Sequence, residues 1–327
     1  MNDEIMVSVI CLAYNHEPYI KQCLEGFVSQ KTNFKFEVLI HDDASTDKTA
    51  DIIREYEAKY PEMIKPIYQT ENQYSQGISP TKTYLMPAAK GKYLAWCEGD
   101  DYWCDENKLQ MQFDVMELHS DCALCVHCVE DVLDNGQKTG IFHPNFILEN
   151  GMYTPTQYYQ MVTKRKTPLL IFHTSSYFMK KESIYISEDE EKAAVINQFL
   201  TGDVKLFLSS MLCGNIFFVN KTMSCYRTNV PGSWTSTVNN IQEKRIEHQK
   251  KMIRAFIEYD VYTNHQYTEY FYYIIESRLF PICIAEGNYK ELLKKEHRKY
   301  FKTLSTKEKI FLILKARIPK LMKLLNK

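Results

Sequence analysis

Short apolar runs alternate with helical stripes through the first 130 residues, and this alternation limits the fold more than any other feature. Val7–Ala13 (VSVICLA) is a continuous β-branched and apolar run, which predicts a strand buried on both faces. Pro18–Gln30 then places Ile20, Leu24, Phe27 and Val28 on one helical stripe. Phe36–His41 reads as a second strand, and Asp47–Tyr60 as a helix capped by Ser45 or Thr46. Ile64–Tyr68 is a third strand, Thr81–Ala89 a short helix and Lys92–Cys97 a fourth strand. Asn107–His119 is helical and Ala123–Val132 strand-like. Strands alternating with helices in this way predict an α/β chain built from βαβ units on a mostly parallel sheet.

The pattern loosens after about residue 140, and the polar stretch Thr228–Asn240 precedes a helical remainder. Ile241–Tyr259, Gln266–Glu286, Tyr289–Phe301 and Thr306–Asn326 each read as a helix. The expected division is therefore 1–235 and 236–327, with the first part split into 1–132 and 133–235. Charge follows a similar division. From Asn288 to Lys327 there are 13 Lys and Arg against 3 Glu, so the whole-chain net charge of −1 hides a basic tail on an acidic body.

The start, Met1-Asn2-Asp3-Glu4, is acidic where a secretory signal is basic, and no run approaches the ~18 apolar residues of a membrane span. Ten cysteines without a signal, many of them in apolar runs (Cys11, Cys97, Cys213), predict reduced thiols in a cytoplasmic protein. Cys122-x-x-Cys125-x-x-Cys128 has the spacing of an iron–sulfur run. On a strand, however, Cys122 and Cys125 point to opposite faces, which favours core cysteines.

The polar motifs follow the strands. Ala13-Tyr14-Asn15 closes the first, Asp42-Asp43 the second and Glu98-Gly99-Asp100-Asp101 the fourth. Ligands of open parallel sheets bind beyond the carboxyl ends of the strands, so all three motifs are expected on one edge. Three carboxylates within four residues repel one another unless a cation sits among them, and hard Mg²⁺ or Mn²⁺ suits such oxygen ligands. An acidic turn or helix cap explains the cluster alone equally well, although Trp103 beside it suggests a built site. Asp42 and Asp43 can accept hydrogen bonds from a nucleobase or ribose, and Tyr14 can offer an aromatic face.

Together, VSVICLAYN, EVLIHDDASTDKT and KYLAWCEGDDYW closely resemble the three donor-site blocks of the family 2 glycosyltransferases, over roughly residues 6–235. The resemblance implies a GT-A fold, here a catalytic domain over 1–235 carrying an α-helical C-terminal extension. It implies that the nucleotide of a nucleotide-sugar donor, UDP-linked in the first instance, lies over Ala13, Tyr14 and Asn15. Asp43, supported by Asp42, would contact the base. Glu98 replaces the first acid of the family's Asp-x-Asp motif and maps to the ribose, Asp100 maps to the metal, and Asp101 faces either metal or sugar. In Gly202-Asp203-Val204-Lys205 the family places its general base at Asp203, with Glu188, Asp189, Glu190 and Glu191 as rivals. Arg227 and Trp234 belong to a stretch resembling the closing loop over the donor, where Asn229 replaces the histidine of many relatives.

The resulting expectation is an inverting transfer of a sugar to a glycan or lipid-linked acceptor in lipopolysaccharide or capsule synthesis, with Mn²⁺ or Mg²⁺ as cofactor. Two alternatives are a metal-dependent nucleotidyltransferase and a noncatalytic nucleotide- or glycan-binding module. The Lys-rich helix Thr306–Asn326 can pack on the protein or lie on the anionic inner face of a plasma membrane. An acidic body speaks against nucleic acid as a partner.

Overall fold

The computed structural model describes residues 4–165, 172–184, 190–228, 230 and 242–317. Ten strands among these residues form one sheet: β1 (Ile5–Ala13), β2 (Lys35–Asp42), β3 (Ile64–Tyr68), β4 (Tyr93–Trp96), β5 (Tyr102–Trp103), β6 (Cys122–Val132), β7 (Lys138–His143), β8 (Gly151–Tyr153), β9 (Phe178–Lys180) and β10 (Asn215–Arg227). The main order is β3-β2-β1-β4-β9-β6-β10-β5. Two parallel blocks, β3-β2-β1-β4 and β6-β10, are joined by the short antiparallel strand β9. The expected mostly parallel sheet is present, with antiparallel pieces added where the sequence pattern loosens.

The helices are α1 (Ile20–Val28), α2 (Thr49–Lys59), α3 (Lys108–Leu118), α4 (Pro155–Arg165), α5 (Glu190–Asn197), α6 (Gly202–Met211), α7 (Gln242–Tyr262), α8 (Thr268–Ala285) and α9 (Thr306–Arg317). On β1, Val7, Val9 and Cys11 point to one face and Ser8 and Ile10 to the other, and none is more than 1% exposed. Burial on both faces is why this strand lacks the alternation of a half-exposed one. The one polar residue inside it, Ser8, is satisfied: its hydroxyl donates to Glu37 and accepts from the Gly91 N–H. Gly91 is required there, because a Cβ would overlap the β1 backbone.

Two compact units emerge. One comprises the described residues up to Pro155, those around 172–193 and those from 202 to 228. The other comprises 156–165, 194–201 and the residues from 242 onward. The second unit explains much of the tyrosine content. Tyr159 stacks with Tyr267 and Tyr270 at 4.4 Å, and Phe271 packs edge-on to Tyr259 at 5.3 Å.

Two expected elements take a different form. Thr81–Ala89 is a π-turn (Thr81–Leu85) running into a short α-turn. Tyr289–Phe301 is not one helix, because Lys294 is extended (ψ 157°) and separates the turns Glu291–Leu293 and Lys295–His297. The His297 ring is then turned inward onto buried Glu276 at 2.8 Å. The end of the expected helix beyond Arg317 lies outside the described residues. All ten cysteines are free thiols, with Cys122 and Cys125 buried in the core. No helix among the described residues is long and apolar enough to cross a membrane.

Candidate functional site

The carboxyl ends of β1, β2 and β4 meet at one edge because the three strands are parallel and in register. Their loops are sewn together by side chains. Asn15, in the left-handed region at φ 55°, donates its N–H to the Ser45 hydroxyl, while its side-chain oxygen accepts from the Thr46 N–H at 2.8 Å. Asp47, rather than Ser45 or Thr46, bonds the first N–H of α2 through Thr49 at 2.9 Å. Tyr14 stands out from this edge, 45% exposed, with its ring open to a flat partner.

Asp42 and Asp43 are both buried at the end of β2. Asp43 uses its two carboxylate oxygens to accept the N–H groups of Gln73 and Tyr74, at 2.8 and 3.1 Å. Its immediate work is therefore to fold the 72–76 loop against the sheet edge. The Oδ1 of Asp42 is buried without a partner, as are both ring nitrogens of neighbouring His41, which stacks on Tyr84. Burial lowers the basicity of His41, against the raising pull of Asp43 and Asp42.

The third loop holds the acids. Gly99 N–H donates to the Leu12 carbonyl at 2.9 Å, and a Cβ on Gly99 would press against His16 Nδ1 and Leu12 O. Only glycine allows that approach. Adjacent Asp100 and Asp101 diverge. Asp101 is 1% exposed, and its Oδ1 accepts the Arg227 backbone N–H at 2.8 Å. Asp100 is half-buried, and its carboxylate accepts no hydrogen bond from the described residues. Burial foremost, together with the charges of Asp100 and Asp203, pushes the half-buried Glu98 carboxyl up to about 8. That coupling brings Asp203, at the start of α6, into the electrostatic neighbourhood of the acidic loop, although it lies more than 100 residues away in the chain. Its Oδ1 accepts the Val204 N–H at 2.7 Å.

Arg227 is 4% exposed, and its guanidinium is engaged inside the protein. Nε donates to the Asp100 carbonyl, Nη1 to the Asp134 carbonyl at 3.0 Å and Nη2 to Gln22 at 2.8 Å. It stacks on Tyr19 at 4.7 Å. This geometry makes it a clamp on the acidic loop. Trp103 is likewise interior and not a loop residue. It is 3% exposed, edge-on to Phe27 at 4.8 Å, and donates to the Ser175 carbonyl. Glu190 and Glu191 lie on the exposed start of α5. Glu188, Asp189, Asn229 and Trp234 lie outside the described residues.

The same neighbourhood contains further polar groups, of which no local pattern singles out Asp131 or His143. Asp131 Oδ1 lies 2.7 Å from His143 Nε2 across the β6–β7 hairpin, and His173 stacks on Tyr226 at 4.0 Å. The His173 Nδ1 to Asp101 Oδ2 distance of 3.9 Å is not an ion pair, because burial and nearby His143 hold the ring neutral at a pKa of about 3. The described residues hold one group of three metal-type ligand atoms within 4.8 Å of one another: Glu291, Glu296 and His297, in the helical unit.

The family model for glycosyl transferase family 2 matches residues 8–185. The chain belongs to this family. An uncharacterized protein of Mycobacterium tuberculosis is 31% identical over 230 residues, which is 70% of this chain and 61% of that protein. This chain thus spans less than two thirds of that relative's length. A UDP-Glc:α-D-GlcNAc-diphosphoundecaprenol β-1,3-glucosyltransferase of Escherichia coli, WfaP, is 36% identical over 112 residues, 34% of this chain and 41% of that protein. Staphylococcus aureus TarS 1-349, solved with UDP-GlcNAc, superposes with a TM-score of 0.59 at 16% identity over 95% of this chain and 82% of that one. The fold is accordingly GT-A with a helical C-terminal region, and family 2 favours glycosyl over nucleotidyl transfer.

Burial of Glu98 beside like charges has a measurable consequence. Glu98 loses its proton near 4.5 when unfolded but holds it to about 8 in the fold. Folding therefore becomes less favourable as pH rises through that window. Glu98→Gln should raise the melting temperature of the metal-free protein by a few degrees at pH 8 and by much less at pH 5, read by differential scanning fluorimetry. An equal shift at both pH values would contradict the assignment.

Proposed function

We propose that the protein transfers a sugar from a UDP-linked donor, with inversion, to a hydroxyl of a glycan or lipid-linked acceptor in cell-surface polysaccharide synthesis. What supports this reading is the meeting of Tyr14, Asp42-Asp43 and the Glu98–Asp101 loop at one sheet edge, with the charge of Asp203 felt at Glu98. Support for a UDP-linked donor comes from the name of the WfaP relative. A second relative, the poly(ribitol-phosphate) β-glucosyltransferase of Bacillus spizizenii, is 33% identical over 119 residues. Both names specify β-linked products, and UDP-glucose is an α-linked donor, so a single inverting displacement accounts for the chemistry.

In this reading the nucleobase lies on Tyr14 beside Asn15 and Ala13, and Glu98 meets the ribose. Asp42 and Asp43 shape the base pocket, the latter by holding the 72–76 loop as well as by direct contact. Asp100 is the carboxylate that would hold Mn²⁺ or Mg²⁺. The fit is chemical: a carboxylate unengaged by described residues stands among like charges, and such ions are commonly held by one or two carboxylates plus substrate phosphates. When bound, the ion would neutralise charge on the departing diphosphate. Asp101 and Arg227 hold the loop in place. Asp203, its carboxylate fixed by the Val204 N–H, takes the proton from the attacking acceptor hydroxyl.

The basic helix fits a lipid-linked acceptor. On α9, Ile310, Phe311 and Ile313 are exposed beside Lys307, Lys309, Lys315 and Arg317, a composition suited to an anionic bilayer surface. Replacing those three lysines by glutamate should abolish co-sedimentation with phosphatidylglycerol vesicles, and unchanged co-sedimentation would assign the helix to packing alone.

Asp203→Asn should retain UDP binding while losing transfer by ~10²-fold or more, the scale of a lost general base. Asp100→Ala should lose metal-dependent release of UDP from UDP-sugars. Full activity in either variant, measured by UDP release, would remove that residue from its role, and binding without turnover in the wild type would point to a noncatalytic module.

A further inference from the structure

Beyond the donor edge, the first unit carries a polar constellation that the mechanism above does not use. Asp131 ends β6 at 7% exposure, and its Oδ1 meets His143 Nε2 at 2.7 Å. His143, on β7, is the more open partner, its side chain 27% exposed against 10% for Asp131. A carboxylate behind an imidazole fixes the ring's tautomer and strengthens its other nitrogen as a hydrogen-bonding group.

The hairpin does not need this pair for its own cohesion. Backbone pairing joins Val129 to His143 and Glu130 to Phe142, the Thr139 hydroxyl donates to the Asp131 carbonyl, and Lys138 bridges Glu130 at 2.7 Å. The dyad instead opens a line of rings toward the acidic loop. His143 and His173 have centroids 6.3 Å apart, His173 stacks on Tyr226 at 4.0 Å, and His173 Nδ1 lies 3.9 Å from Asp101. The Asp134 carbonyl, in the turn after Asp131, accepts from the same Arg227 that clamps Asp100. On the dyad's own face of β6, His127 is fully buried with an unpartnered Nε2. On the His143 face of β7, Ile141 is 53% exposed.

We propose that the His143–Asp131 dyad, with Tyr226 and His173 beside it, is the acceptor-side binding pair, receiving a hydroxyl of a pyranose ring. A sugar presents hydroxyls to polar groups and an apolar C–H face to rings and aliphatic side chains, and this cluster supplies both beside Asp101 of the acidic loop. His143 and Asp131 hold the acceptor; they do not take its reacting proton, which goes to Asp203. The assignment rests on the glycosyl-transfer reading and specifies its acceptor as a sugar hydroxyl.

The test separates the two. With Mn²⁺ present, UDP release from UDP-glucose and UDP-GlcNAc is measured alone, and then with octyl glycosides of glucose, galactose and N-acetylglucosamine. His143→Ala and Asp131→Asn should leave hydrolysis of the donor within twofold and raise the glycoside KM at least tenfold, with kcat changed far less. His143→Gln, which keeps a hydrogen-bonding group, should recover most of the loss. Unchanged glycoside KM in both variants would overturn the proposal, as would hydrolysis and melting temperature falling together, the mark of a structural tie. A wild-type enzyme that hydrolyses donor but is not stimulated by any of these glycosides would also count against it. A wild-type protein that binds neither donor would instead remove the donor reading beneath it.

Discussion

One buried hydrogen bond fixes the geometry of the site: the Arg227 backbone N–H to the Asp101 carboxylate, 2.8 Å long. It ties the loop after β4 to the last residue of β10, 126 positions later in the chain. The Arg227 side chain reinforces it by reaching the Asp100 carbonyl, the turn after β6 and Gln22 of α1. Three separate segments thus converge on one arginine. Because the site is assembled from strand ends rather than one continuous loop, this tie decides where the neighbouring carboxylate of Asp100 stands. A hydrogen bond excluded from water is well suited to the task, because leaving its buried N–H unpaired is costly.

The tie also explains how two adjacent aspartates divide their labour. Asp101 spends its carboxylate on the fold, where burial, Asp100 and Glu98 push its proton affinity well up and the Arg227 N–H pulls the other way. Asp100 keeps its carboxylate at the partly open side. Glu98 and Asp203 crowd the same region with like charge, an arrangement that opposes folding and favours binding of a cation. Elsewhere the strand interiors are largely apolar, and the single serine inside β1 is satisfied by Glu37 and Gly91.

Much of this was legible in the sequence, for a physical reason. A strand buried on both faces must be a largely apolar run, so β1, β2 and β4 stand out, and parallel pairing forces their trailing polar motifs onto one edge. What was not legible depends on long-range contact. Trp103 beside the acids reads as a loop residue, yet a two-residue strand pairing with β10 draws it into the core. Arg227 reads as part of a closing loop, and nothing in the sequence shows that its donors are taken up by carbonyls and Gln22. The break at Lys294 is hidden because helical periodicity continues across it, and the inward His297–Glu276 contact that accompanies it joins residues 21 apart. The His143–Asp131 dyad crosses a hairpin whose strands carry no strong alternation, so nothing local marks either residue.

The central claim is that Asp101 serves the fold and Asp100 the ligand. Melting temperatures of Asp100→Ala and Asp101→Ala, each measured without ligand and with UDP plus Mn²⁺, test it most directly. Losing the Asp101 acceptor strands a buried N–H at a cost of about 1–3 kcal/mol. Asp101→Ala should therefore melt several degrees lower without ligand, while Asp100→Ala melts at or above the wild type but gains no stability from UDP and Mn²⁺. The reverse pattern, a ligand-free loss in Asp100→Ala and a normal ligand response with unchanged stability in Asp101→Ala, would contradict the account.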